Sequence, residues 1–156
     1  MPPTSFIAMM LPLAQACQRQ HGIPASVTIA QAAVETGWGE RVKANNLFGI
    51  KADKSWKGPT ITFGTTEYLG PDRKKTSMPD VFRAYGSWAE SVVDRYNFLK
   101  ANPRYAKCFQ QTTPEGWARE IAAAGWATGP EYGELMCSVM RGRNMAQYDV
   151  LPKVPA

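Results

Sequence analysis

Histidine and cysteine are scarce in this sequence. His21 is the single imidazole, and Cys17, Cys108 and Cys137 are the only thiols among 156 residues. No CxxC pair exists and no usual metal-ligand spacing can be drawn from these four positions, so no metal or other cofactor is expected. Three cysteines cannot all pair with one another, and the chain is too long for a disulfide-stapled mini-fold. They read as small buried apolar residues. No apolar run approaches the ~20 residues of a membrane span, which argues against membrane insertion. Gly-rich phosphate loops, internal repeats and linkers are also missing. The first 18 residues carry no charged side chain, and LAQAC superficially looks like a lipoprotein signal. Nothing basic precedes Arg19, however, and a signal peptide needs a basic start.

What the chain does contain is an ordinary globular balance, 44% hydrophobic and 20% charged, with 18 Lys+Arg against 13 Asp+Glu for a net charge of +5. A domain of ~150 residues buries roughly 70% of its unfolded surface, so one domain over 1–156 is expected. The excess positive charge is compatible with nucleic acid, an anionic membrane surface or an acidic polymer such as a cell wall. It is modest and dispersed (Lys51, Lys54 and Lys57; Arg73 to Lys75; Arg141 and Arg143), and no nucleic-acid motif accompanies it. Nucleic acid is therefore not an expected partner.

The pattern along the chain is helices, a small β region, then helices. Phe6, Met9, Met10, Leu13, Ala16 and Cys17 mark the core face of a helix over about 5–20, with Thr4 or Ser5 as its cap. ASVTIAQAAV (25–34), entered through Pro24, has no polar face and reads as a buried central helix ending at GWG (37–39). ITFGTTEYL (61–69) and VFRAY (81–85) read as two short strands, with turn and loop chemistry in GPDRKKTSMPD between them. Ser87 and Glu90 fit a capping box before a helix carrying Trp88, Val92, Tyr96 and Leu99. Pro103 and Pro114 each suit a helix start, the second behind a Thr113 cap, with Trp117, Ile121 and Ala124 on the next apolar face and Gly125 as its stop. A last helix over about 130–140 should bury Tyr132, Leu135, Met136 and Val139, with a loosely held tail after Gly142. This is an α+β plan, lysozyme-like, mostly helical with a small β-hairpin lobe.

For chemistry, the Cys17/His21 pair has no orienting third group, which disfavours a thiol hydrolase. Carboxylates are left. Glu35 ends an uncharged stretch from Gly22 to Val34, with Trp38 three residues on. Burial disfavours the anion and raises a carboxyl pKa, the device that keeps an acid protonated for a leaving oxygen. An equally good reading of the sequence pairs Glu35 with Arg41 or Lys43 at a helix end.

GIPASVTIAQAAVETGWGE (22–40), NNLFGIK (45–51), TTEY (65–68), NPRY (102–105) and WATGPEY (126–132), five motifs in order, resemble glycoside hydrolase family 73. This is the N-acetylglucosaminidase domain of bacterial autolysins, flagellar hydrolases, phage lysins and antibacterial effectors, and the match covers about 22–140. The resemblance implies a lysozyme-like fold that cuts the β-1,4 bond after N-acetylglucosamine in peptidoglycan glycan strands. It implies Glu35 as general acid, Glu67 as second carboxylate on the β lobe, and Tyr132 as the active-site tyrosine. The physical requirement agrees, since a glycosidase needs one protonated carboxyl and a second group on the other face of the sugar. Inversion or retention follows from the separation of the two carboxyl groups.

Trp38, Asn46, Phe48 and Trp126 are the candidate substrate-binding residues, with Trp56 a further ring able to stack on sugar; Asn46 and Phe48 shape the cleft floor. The family often has Asp where Gly129 stands and Tyr where Trp126 stands. Because the substrate lies outside the cytoplasmic membrane and no signal peptide is read, export by a secretion system, flagellar or phage route is expected. An injected, toxic version would call for a periplasmic immunity protein plugging the cleft against a basic rim of Lys51, Lys54 and Lys57. The alternative from another class is a non-catalytic wall-binding module.

Overall fold

The uncharged opening of the chain folds as helix α1, Pro3–His21. In this computed structural model residues 1–69 and 74–150 are described, with side chains described for 1–64 and 79–150. Helix α1 starts earlier than its periodicity indicates. Neither Thr4 nor Ser5 caps it; extended Pro2 takes the N-cap position without a side-chain bond. Proline suits that first turn because its N–H groups have no helical partners. The buried stripe is Phe6, Ile7, Met10, Ala14 and Cys17, while Met9 and Ala16 face outward. The stripe is therefore turned relative to the expected face.

Helix α2, Ala25–Thr36, is the centre of the molecule, with every residue from Ala25 to Ala33 buried. It packs against α1, α4 (Pro114–Ala123) and α5 (Tyr132–Gly142). Alanines on α2 let those neighbours approach closely, at interior density. Pro24 takes the N-cap position and offers no side-chain bond to the helix. Asp149 supplies one from the far end of the chain, accepting from Ser26 N at 2.7 Å and Ser26 Oγ at 2.8 Å. Residues 143–150 of the tail are thus fastened, not loose, and 151–156 lie outside the described residues. Met145 is fully buried, and Gln18 bonds Val150 through both its amide atoms.

The β lobe is one antiparallel hairpin, β1 (Thr60–Leu69) with β2 (Lys74–Arg83), in register Thr60↔Arg83 and Leu69↔Lys74. Residues 74–80, expected in a loop, belong to the second strand. Pro79 misled the pattern: it pairs opposite Gly64, and in a two-stranded ribbon either strand tolerates a missing donor on its outer edge. The strand also stops at Arg83 and leaves Tyr85 outside it.

Helix α3, Trp88–Ala101, opens with Ser87 Oγ accepting from Glu90 N at 3.2 Å. Glu90 closes the box on Gly86 N, one residue earlier than the usual arrangement. A 3-10 helix starts at Pro103, and Thr113 caps α4 at Pro114, both as the prolines indicate. On α5 the buried residues are Tyr132, Gly133, Met136, Cys137 and Met140, whereas Leu135 is 50% exposed. All three cysteines are buried and free. Among the described residues no group of His, Cys, Asp and Glu could hold a metal, and no helix is long and apolar enough to cross a membrane.

Candidate active site

The last turn of α2 delivers Glu35 to the wall of a cleft cavity of about 260 Å³. The helix stops there because Gly37 takes a left-handed conformation (φ 59°), which costs a residue without Cβ nothing. The chain then turns across the cavity, which Thr36, Arg41, Lys43, Asn46 and Gly49 also line. Phe63 of β1 and Phe82 of β2 close it from the hairpin, their rings stacked 4.2 Å apart.

Glu35 is half-buried, and burial pushes its carboxyl above the usual carboxylate range. Two groups pull the other way without cancelling that rise: the Tyr132 hydroxyl, which donates to Oε1 at 2.8 Å, and the Arg41 guanidinium. No ion pair joins Glu35 to Arg41 or Lys43; Arg41 acts on it only through its charge, and desolvation is the larger effect. Tyr132 sits at the first turn of α5, only 7% exposed, and burial beside Glu35 drives its own ionisation upward. It remains a neutral donor. Since that bond occupies Oε1, the dissociable proton belongs on Oε2. This oxygen faces Gly49, where a Cβ would lie 3.3 Å away. Gly49 has φ 69°, so both conformation and space keep that position bare.

Asn46 is the bracket of the 45–51 loop. Its Nδ2 donates to Ile50 O and Arg83 O, both at 2.9 Å, and its Oδ1 accepts from Phe48 N and Ile50 N. One side chain thereby ties the cavity floor to the root of β2. Phe48 lies fully buried beneath that floor. Trp126 donates Nε1–H to Phe48 O at 3.2 Å and packs against Phe98 and Tyr105. Trp38 meets Phe6 in a T-shaped contact, and the Arg143 guanidinium lies over its ring. Trp56 stands beyond the hairpin root, edge-on to Tyr85 and beneath Arg83. The structure therefore brings Glu35, Tyr132 and Asn46 together and sets Trp38, Trp56 and Trp126 off the cavity wall. Glu67 lies on β1 opposite Thr76, and its side chain falls outside the described residues. Gly129 is exposed with open space around it.

The expected basic rim is partly neutralised, because Lys51 Nζ pairs with Asp80 at 2.7 Å. Among the described residues, the cations that face the cavity are Arg41 and Lys43. Thr36, Gly49, Phe63 and Phe82 are the cavity residues that sequence reasoning did not single out. The alternation of the strands carried a signal for the two rings, but only the hairpin register places them together.

The family described as "Glucosaminidase: Mannosyl-glycoprotein endo-beta-N-acetylglucosaminidase" matches residues 11–145. The peptidoglycan hydrolase FlgJ of Vibrio parahaemolyticus is 39% identical over 144 residues, covering 88% of this chain and 46% of that protein. The chain thus spans about half the length of such relatives. Among solved structures, a peptidoglycan hydrolase mutant from Sphingomonas sp. A1 superposes with a TM-score of 0.81 at 32% identity, covering 92% of this chain and 96% of that one. A C-terminally truncated glycoside hydrolase domain of Salmonella typhimurium FlgJ gives 0.75 at 34% identity, covering 92% and 99%.

Proposed function

Because the chain belongs to the glucosaminidase family, we propose that it is a peptidoglycan hydrolase. In this reading it cleaves the β-1,4 bond after N-acetylglucosamine, with Glu35 as general acid and 1–156 acting as one catalytic domain. The supporting observation is the state of Glu35: a carboxyl raised by burial, open to the cavity through Oε2, with Oε1 held by a neutral tyrosine.

The proton on Oε2 passes to the glycosidic oxygen as the bond to the anomeric carbon breaks. The bare edge of Gly49 leaves room for that oxygen. As Glu35 becomes an anion, the Tyr132 hydroxyl bond strengthens and Arg41 attracts it, so both groups favour the charge that develops. Glu67 on the hairpin is the second carboxylate, activating water on the opposite face of the sugar. Asn46 and Phe48 support the floor, and Trp38 and Trp126 act on more distant sugars of the strand. The site of action is the periplasm or cell wall, where the polymer lies. A periplasmic inhibitor protein that plugs this cleft belongs to an effector version of the proposal, with an acidic loop attracted to the cleft cations.

Glu35→Gln keeps the shape and removes the proton. Turnover should fall by roughly 10²–10⁴-fold, the usual worth of general acid catalysis. Mass spectrometry of digested muropeptides reads both the bond cut and its loss. A variant with more than about half of wild-type turnover would refute the role of Glu35. A wild-type protein that sediments with walls but releases no fragments would instead be a binding module.

A further inference from the structure

Two cations stand in the wall of the Glu35 cavity without an ion pair to any described residue. Both come from the loop that follows α2. Arg41 folds back across the helix end, where a Cβ on Gly37 would meet its Nη1 at 2.5 Å, so the guanidinium is seated because that position is bare. Lys43 holds its ammonium 4.2 Å from the centre of the Phe63 ring. The α2 carbonyl end and the ring face favour these positions. Neither neutralises a positive charge, and both side chains line the cavity.

A polymer of N-acetylglucosamine alone is neutral, whereas peptidoglycan is not. Each muramic acid carries a lactyl carboxyl group, free when the stem peptide has been removed and amidated when it is present. The stem peptide brings carboxylates of its own. We propose that Arg41 and Lys43 form an anion subsite beside the acid and bind a carboxylate of the glycan strand, from the lactyl group or from the stem peptide. The proposal rests on the reading of Glu35 as the acid of a peptidoglycan hydrolase.

The subsite has a consequence for the acid itself. The described charged and titratable groups facing Glu35 are Arg41 and Lys43 from the loop and Tyr132 from α5; Arg95 lies behind Tyr132. Arg41 draws the Glu35 carboxyl down. A carboxylate bound to Arg41 offsets that pull, so an anionic strand leaves Glu35 more fully protonated than a neutral strand does. Substrate charge then helps to keep the acid armed.

One set of strands in three forms tests this: peptide-bearing, stripped by an amidase, and stripped with every carboxylate converted to a neutral amide by carbodiimide and ammonia. Wild type, Arg41→Gln, Lys43→Gln and the double variant are compared on each. Two charge contacts of somewhat under 1 kcal/mol apiece predict that the wild type prefers charged strands by about tenfold in KM, less at high salt. The double variant should lose that preference. The alkaline limb of kcat should lie higher on charged than on amidated strands, and the gap should close in Arg41→Gln. Lys107→Gln, a remote surface change, should keep the full preference. Loss confined to stripped strands assigns the lactyl carboxylate, and loss on peptide-bearing strands assigns the peptide. Equal rises in KM on charged and amidated strands, or no wild-type preference, overturn the subsite. Binding of the three strands to Glu35→Gln reads the subsite without turnover, so failure of the acid assignment shows separately, as undiminished cleavage by that variant.

Discussion

The two walls of the cleft are built in opposite ways. Glu35 projects from a helix whose first nine residues are all buried and which is surrounded by three others. The facing wall is a two-stranded ribbon, the described part of which buries only Phe82 and Arg83 deeply, at its root. A ribbon of two strands has little independent stability and depends on its anchorage. The helix wall suits a group whose proton affinity must be set by fixed surroundings.

The anchorage shows the same contrast in two buried arginines. Arg83, at the hairpin root, pairs with Asp94 at 3.0 Å and Asp53 at 3.3 Å, and its guanidinium lies over Trp56. Arg95, in the helical core, is fully buried yet meets only neutral partners, Gln31 Oε1 and Thr28 Oγ1, both at 2.9 Å. It also lies over the Phe48 ring. Burial draws its pKa down to about 10, so it stays charged at neutral pH. Its Nη2 and the Gln31 Nε2 have no hydrogen-bond partner among the described residues.

Core truncation should separate the walls most strongly. Ile29→Ala on α2 should cost roughly 2–5 kcal/mol, while Val81→Thr on the hairpin, at 39% exposure, should stay within about 0.5 kcal/mol. Denaturant midpoints measure both, and similar values would erase the distinction. Next come the arginines. Arg83→Met strands Asp94 in partly buried surroundings and should cost about 3 kcal/mol. Arg95→Met removes a desolvated charge along with its bonds and should cost less than Arg83→Met. A larger loss at Arg95, read by thermal melts, would mean that its neutral partners hold the core more firmly than the ion pairs hold the hairpin.

Tyr132→Phe should cost only about 1 kcal/mol of stability, the worth of one hydrogen bond. Its sharper signature is in pH. The hydroxyl stabilises the Glu35 anion, so its removal should raise the Glu35 pKa further and move the alkaline limb of activity upward. The linkage has a definite sign. Glu35 ionises less readily folded than unfolded, so its contribution to stability is fully present below the unfolded pKa and is lost as pH rises through the folded one. That loss should be steeper in magnitude for Tyr132→Phe. Melts across the acid-to-neutral range test it, and a profile unchanged from wild type would discount the bond.

Much of this contrast was legible before any coordinates. The run from Gly22 to Val34 with no charge predicts a buried helix, and a carboxyl at its end predicts a perturbed acid. The caps at Ser87 and Thr113 are local and were readable for that reason. The hairpin was harder. Turn residues at 70–80 masked the strand, because its pairing is decided by the opposite strand and not by its own composition. Leu135 and Met9 satisfied a helical period yet face solvent, since the period marks a stripe without fixing which neighbours cover it.

By itself, then, the sequence determined where α2 begins and ends, which carboxyl it carries, and the motifs that mark the family. Tertiary structure decided the rest of the site. Tyr132 reaches Glu35 across 97 positions of chain, Asp149 caps Ser26 across 123, and Arg41 and Lys43 face the cavity where Lys51 is spent on Asp80. Helix ends and caps arise from residues within a turn of one another, so a linear reading sees both partners. Desolvation and charge pairing depend on what distant segments place around a group, and only the packed chain supplies that.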